Sequence, residues 1–68
     1  MDPQAEVKHV VLFAVVGQGI LTLVECADGS LRVMRDEQPV DGCRWDPHEM
    51  TEAAGTFHRM RTELERAN

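Results

Sequence analysis

The sequence has few of the features that stabilise very small domains or direct a chain to a membrane. Its 68 residues include only two cysteines, Cys26 and Cys43, too few for the disulfide framework of a small secreted scaffold. The longest apolar run, residues 10–16, is too short to span a bilayer. The first six residues lack the basic and apolar regions of a signal peptide. We therefore expect a cytoplasmic protein that does not contact membranes. Because so short a chain builds a marginal core, we expect a second chain to stabilise it.

Patterns typical of catalysis and nucleotide binding are also missing. Ser30 is the only serine. Residues 17–19, Gly-Gln-Gly, precede a strand pattern, whereas a phosphate-binding loop of this kind opens a helix. Cys43 and His48 are close in sequence, but acids on the same stretch oppose a thiolate, and so small a fold offers little concave volume for a substrate. We predict a non-enzymatic protein.

Four of the chain's cysteines and histidines are possible zinc ligands, but they are widely spaced. Sixteen, four and nine residues separate them, whereas zinc sites use close pairs of ligands. They are Cys26, Cys43, His48 and His58. We therefore predict no metal and no cofactor.

Strand patterns occupy the first half of the chain. Residues 8–16 are rich in β-branched side chains and too short for a stable amphipathic helix, so they predict a strand. Residues 20–26 and 31–35 predict two more, joined by tight turns at 17–19 and 28–29. These segments predict an antiparallel meander of three strands.

A fourth strand is an open alternative. Residues 38–40 offer a short partner for the third strand. Pro39 restricts any such strand to an edge of the sheet, because it has no N–H to donate.

Residues 47–66 predict a single amphipathic helix. Asp46 is a good N-cap, Pro47 suits the first helical position, and Glu49 has the spacing that closes a capping box. Trp45 and Met50 have the spacing of a hydrophobic staple. Four independent signals therefore place the start of the helix.

The helix carries one apolar stripe that suits packing on a sheet. Its residues are Met50, Ala53, Ala54, Phe57, Met60 and Leu64. Gly55 lies off this stripe, where the approach of another chain, a kink or neutral drift would account for it. The whole pattern predicts an α+β fold over residues 1–68, a single domain with residues 1–6 flexible. A three- or four-stranded meander is followed by one helix packed on one face.

The first strand predicts an apolar surface on both sides of the sheet. Alternate residues from Val10 to Val16 point one way and the intervening residues the other, and both sets are apolar. A single helix covers one face. We therefore expect a homodimer whose interface includes Val11, Phe13 and Val15.

The net charge of −5 is concentrated in residues 36–52, which hold six acids and one arginine. Such a segment repels phosphate, which disfavours direct binding of nucleic acid, and attracts basic protein surfaces. The alternative is an acidic rim that only keeps the protein soluble. The candidate partner-binding residues are Asp36, Glu37, Asp41, Trp45, Glu49 and Glu52.

Three classes of function are compatible with these observations. Size, clustered charge and missing chemistry favour an inhibitor or adaptor of the kind that phages and mobile elements encode, docked on a basic, nucleic-acid-binding surface of a larger protein. The second class is a dimeric structural or accessory subunit, favoured by the two-faced sheet. The third, a small enzyme or metal-binding protein, is disfavoured by the absence of a recognisable site.

Overall fold

The computed structural model describes residues 6–67, which form one antiparallel sheet and one helix. The strands are β1 (Val7–Val16), β2 (Gly19–Cys26), β3 (Leu31–Arg35) and β4 (Gln38–Trp45), and a 3-10 turn (Pro47–Glu49) leads into α1 (Met50–Ala67). The strand order β1-β2-β3-β4 is that of a meander. The predicted α+β fold is confirmed, and its optional fourth strand is present and continues to Trp45. Of the segment predicted to be flexible, only Glu6 is described, and its carbonyl accepts a hydrogen bond from Ala27 N–H at 2.9 Å.

The first two connections are short turns built on glycine. Gly17 has a φ of 61°, and the two-residue loop between paired Val16 and Gly19 is therefore of the type that requires glycine at its first position. In the next turn, Gly29 N–H donates to the Cys26 carbonyl at 2.9 Å, and Gly29 has a φ of 88°. Both turns match the sequence prediction.

The turn from β3 to β4 is unusual because neither central residue is glycine. Asp36 and Glu37 have φ values of 52° and 69°, the left-handed region that hairpin turns of this geometry demand. The Asp36 carboxylate accepts a hydrogen bond from Ile20 N–H at 2.9 Å. It lies so close to Gly19 that a Cβ there would sit 2.9 Å from one of its oxygens. Asp36 therefore fastens this turn to β2.

Irregular pairing shifts the register in the two edge strands. In β1, Val10 pairs with Val24 and Leu12 with Leu23, so Val11 is an extra residue on the β1 side. In β4, Arg44 pairs with Arg32 and Pro39 pairs with Met34, so residues 40–43 form a bulge between these two pairs. Each bulge changes which face the following side chains occupy.

One face of the sheet packs against α1 and forms the core. The helix contributes Ala53 and Phe57, which are 0% and 1% exposed. The sheet residues of this cluster are Val16, Leu21, Leu23, Leu31 and Val33. Half-buried apolar side chains of β1, β4 and α1, including Trp45, pack around this cluster. The apolar stripe of the helix thus covers the middle of the sheet.

Met50 departs from the predicted stripe. It is 38% exposed and lies outside the buried cluster, although it keeps the helical phase of Ala53 and Phe57. Periodicity predicts the face that a residue occupies, but it does not predict how far the sheet extends beneath the helix. Met50 therefore has the phase of the predicted stripe but lies outside the core.

The start of the helix uses the predicted cap. Asp46 and Glu49 form a capping box, in which Asp46 N–H donates to Glu49 Oε1 at 3.0 Å. Glu49 N–H donates to the Asp46 carbonyl at 2.9 Å. The first turn is a 3-10 turn, so the α-helix proper begins three residues later than predicted.

Gly55→Ala is expected to stabilise the protein by about 0.5–1 kcal/mol, because glycine in a helix interior costs conformational entropy. A Cβ at this position meets no atom within 4 Å, so the alanine causes no strain. Urea denaturation of the two proteins at one low concentration measures the difference. A loss of stability would contradict the open surroundings of Gly55.

Asp28→Asn is expected to make the fold less sensitive to acid. Hydrogen bonds from the Ser30 hydroxyl at 2.6 Å and the Ser30 N–H at 2.9 Å lower the pKa of Asp28 from 3.8, with Arg44 and Arg32 adding a smaller effect. The ionised carboxylate therefore stabilises the fold above pH 3.8, and this contribution is lost as the pH falls through the lowered value.

The measurement is the free energy of unfolding at a series of pH values between about 6 and about 2. The asparagine variant should lose less stability than the parent across this interval. An identical decline in both proteins would show that Asp28 does not contribute to it.

Candidate protein-interaction surface

Within residues 6–67, no helix or strand packs on the face of the sheet opposite α1, although Val24 on that face is buried beneath neighbouring side chains at 2% exposure. We refer to it as the open face. Its four most exposed large apolar side chains are Val10 at 52%, Phe13 at 62%, Val15 at 65% and Ile20 at 44%. Contiguous apolar surface of this kind marks sites of protein association more often than isolated exposed residues do.

Strand pairing arranges the open face in three parallel rows that run across the strands. The first, the arginine row, contains Val10, Val24, Arg32 and Arg44. The second, the central row, contains Phe13, Thr22, Met34 and Pro39. The third, the acidic row, contains Val15, Ile20, Asp36 and Glu37. The β1 and β2 half of the face is therefore apolar, and the β3 and β4 half carries opposite charges at its two ends.

The predicted interface residues are not all on this face. Phe13 and Val15 lie on it, but Val11 packs against the buried cluster beside α1. The bulge in β1 is the cause, because the extra residue turns Val11 towards the helix and Val10 towards the open face. The expectation that Val11 shares a face with Phe13 was therefore wrong.

The open face forms a shallow concavity of about 720 Å³. Its lining is Val7, Val10, Phe13, Ile20, Thr22, Val24, Met34, Asp36 and Glu37. Small-molecule sites usually enclose most of their ligand. Here the rim residues Phe13 and Ile20 are themselves about half exposed, so the concavity suits a broad protein surface better than a small ligand.

The two arginines of the arginine row differ in their hydrogen-bond partners. Arg44 forms an ion pair with Asp28 at 3.4 Å. Arg32 Nε is buried and has no hydrogen-bond acceptor among the described residues. A buried donor without an acceptor is unfavourable. An arriving carboxylate would meet the rest of this half-buried guanidinium group and not the buried Nε.

The six acids of residues 36–52 do not form one patch. Asp36 and Glu37 lie at the turn where β4 begins, and Glu49 and Glu52 lie beyond its end, at the start of the helix. The pairing of β3 with β4 separates these ends by about four residue steps, or about 13 Å. Asp41 is exposed in the β4 bulge between them. Clustering in sequence therefore does not produce clustering on the surface.

Trp45, the predicted aromatic anchor, is half buried against the core. Its remaining surface lines a groove of about 500 Å³ together with Glu52, Gly55, Thr56 and Arg59. Glu49, another predicted contact, uses its carboxylate to cap the helix. Packing explains the presence of Trp45, and helix capping explains the presence of Glu49.

The groups with metal-binding or nucleophilic chemistry have other structural explanations. The ligand atoms of Asp46, His48 and Glu49 lie within 4.8 Å of one another, but they stand at the start of a helix, whose partial positive charge disfavours a cation. Cys26 is buried and Cys43 is half buried, and both are free thiols. Cys43 Sγ contacts Met60 Sδ at 3.9 Å, as expected of a packed apolar side chain.

The chain matches no family model, and no curated protein or solved structure is significantly similar to it. No helix within residues 6–67 is long and apolar enough to cross a membrane. Function is therefore inferred from the open face itself.

Most of the open face beyond β1 was not predicted from the sequence. Ile20 and Met34 belong to it, as do Arg32 and Arg44. Strand alternation was the available signal, since Arg32 and Met34 share the face opposite Leu31 and Val33. Positions on β4 carried no such signal because its bulge interrupts the alternation.

Phe13→Ser is expected to leave the stability of the isolated chain nearly unchanged, within about 1 kcal/mol, because this side chain is 62% exposed. Leu23→Ala, on the helix side and 0% exposed, should cost about 2–5 kcal/mol. Urea denaturation at the lowest practical protein concentration measures both. Equal losses would show that Phe13 is packed within the monomer.

Proposed function

We propose that this protein is a non-catalytic association module that buries its open face against another polypeptide chain. The observation that carries the proposal is the contiguous exposure of Val10, Phe13, Val15 and Ile20 on one face of a sheet whose other face packs against the helix. Burying such side chains is the main favourable contribution to protein association.

A second candidate is an inhibitor or adaptor that docks on a basic surface. Asp36 and Glu37 favour it, since both line one side of the concavity. A uniformly basic partner would meet Arg32 and Arg44 at the other end of the same face, and this repulsion makes the candidate weaker.

Site-specific photo-crosslinking tests the proposed function directly. The photoreactive residue p-benzoylphenylalanine replaces Phe13 in one variant and Glu63, an exposed residue of α1, in a matched control. After irradiation in cells that naturally produce the protein, position 13 should give defined protein adducts and position 63 should not. Absence of adducts at position 13 would reject the open face as a binding surface.

A further inference from the structure

We infer that the open face is covered by a second copy of this chain, packed face to face about a two-fold axis that runs along the central row. This inference rests on the proposed function and names its partner. It follows from the distribution of side chains among the three rows. Isologous pairing of this kind requires a surface that is complementary to itself.

The apolar half of the face satisfies that requirement. A two-fold axis along the central row reverses the strand direction and keeps each strand above its counterpart. Phe13 then faces Phe13 of the second copy, and Val10 faces Val15. On β2, Ile20 lies over Val24 of the second copy, which is only 2% exposed and so adds little new burial, and Thr22 lies over Thr22. Apolar side chains thus meet apolar side chains along β1.

The charged half of the face satisfies it as well. The same axis places the arginine row of one copy over the acidic row of the other. Arg32 and Arg44 therefore meet Asp36 and Glu37 of the second copy, twice in each dimer. The incoming carboxylates would accept charge-assisted hydrogen bonds from the half-buried Arg32 and the exposed Arg44.

The other simple two-fold arrangement is unfavourable. An axis parallel to the strands stacks β1 on β4 of the second copy. Val10 would then face Arg44, and Val15 would face Glu37, which desolvates charges against apolar groups. The row pattern therefore selects the axis across the strands.

The size of the face is compatible with a modest dimer. Four strands about 4.8 Å apart and averaging about eight residues give a projected area of roughly 500 Å². Covering this area on both copies buries on the order of 1,000 Å² of accessible surface, near the lower limit for a specific interface. We therefore expect an association that depends on protein concentration.

Pairing through the strand edges is less suitable. The β4 edge contains Pro39 and the bulge over residues 40–43, and β1 has register shifts near Lys8 and Val11. Bulges and proline are the features that prevent edge strands from extending a sheet. The face remains the better interface.

Charge-reversal variants and their mixture test the arrangement. Sedimentation equilibrium of the unmodified protein should give twice the 7.7 kDa mass of the chain. Arg44→Glu alone and Glu37→Arg alone each place like charges in contact, so each should raise the dimer dissociation constant at least about tenfold. An equimolar mixture restores opposite charges at both contacts and should recover the original constant to within about threefold.

Arg35→Glu is the matched control. Arg35 is exposed on the neighbouring strand β3, but it pairs with Leu21 and belongs to the helix side, so its reversal should not change the dissociation constant. Circular dichroism verifies that every variant is folded. If Arg44→Glu is unfolded, the weakening caused by Glu37→Arg alone, compared with the Arg35→Glu control, still tests the contact.

Several outcomes would overturn the inference. A monomer at all accessible concentrations would do so, as would a dimer that neither single reversal weakens or that the mixture fails to restore. Crosslinking at position 13 to a different protein, with a monomeric purified chain, would support the proposed function and reject the self-pairing. An adduct with twice the mass of the chain supports both.

Discussion

The structure depends on one geometric constraint: a sheet has two faces, and this chain has one helix to cover them. Phe57 and Ala53 pack against the helix side of the sheet, and the buried cluster within residues 6–67 contains no residue from the other face. Val10, Phe13, Val15 and Ile20 on β1 and β2 consequently stay in contact with solvent. The chain is short, and its length explains both its marginal core and the exposure of a second apolar surface.

Local sequence signals were sufficient for the architecture. Glycines at 17 and 29, strand alternation and the cap at Asp46 predicted the turns, the strands and the start of the helix, because each depends on neighbours within a few residues. The fate of Val11 could not be predicted in this way. Its side chain faces the helix because of a bulge in the pairing with β2, and register between strands is a long-range property.

The charge distribution shows a similar limit. Residues 36–52 hold the whole net charge, and the sequence alone favoured a single acidic patch. In the folded chain β4 separates the acids, and the open face instead carries arginines at one end and carboxylates at the other. The arrangement of charge on a face, which depends on strand pairing, decides what that face can bind. The open face is accordingly bipolar, although the protein is acidic.

The turn at Asp36 and Glu37 links the stability of the monomer to the chemistry of its surface. Both residues occupy backbone conformations that glycine or asparagine would adopt at lower cost. A glycine at position 37 would relax the backbone, but it would also remove a charge from the acidic row. Selection for a more stable monomer and selection for association through the open face would therefore act in opposite directions on this single position.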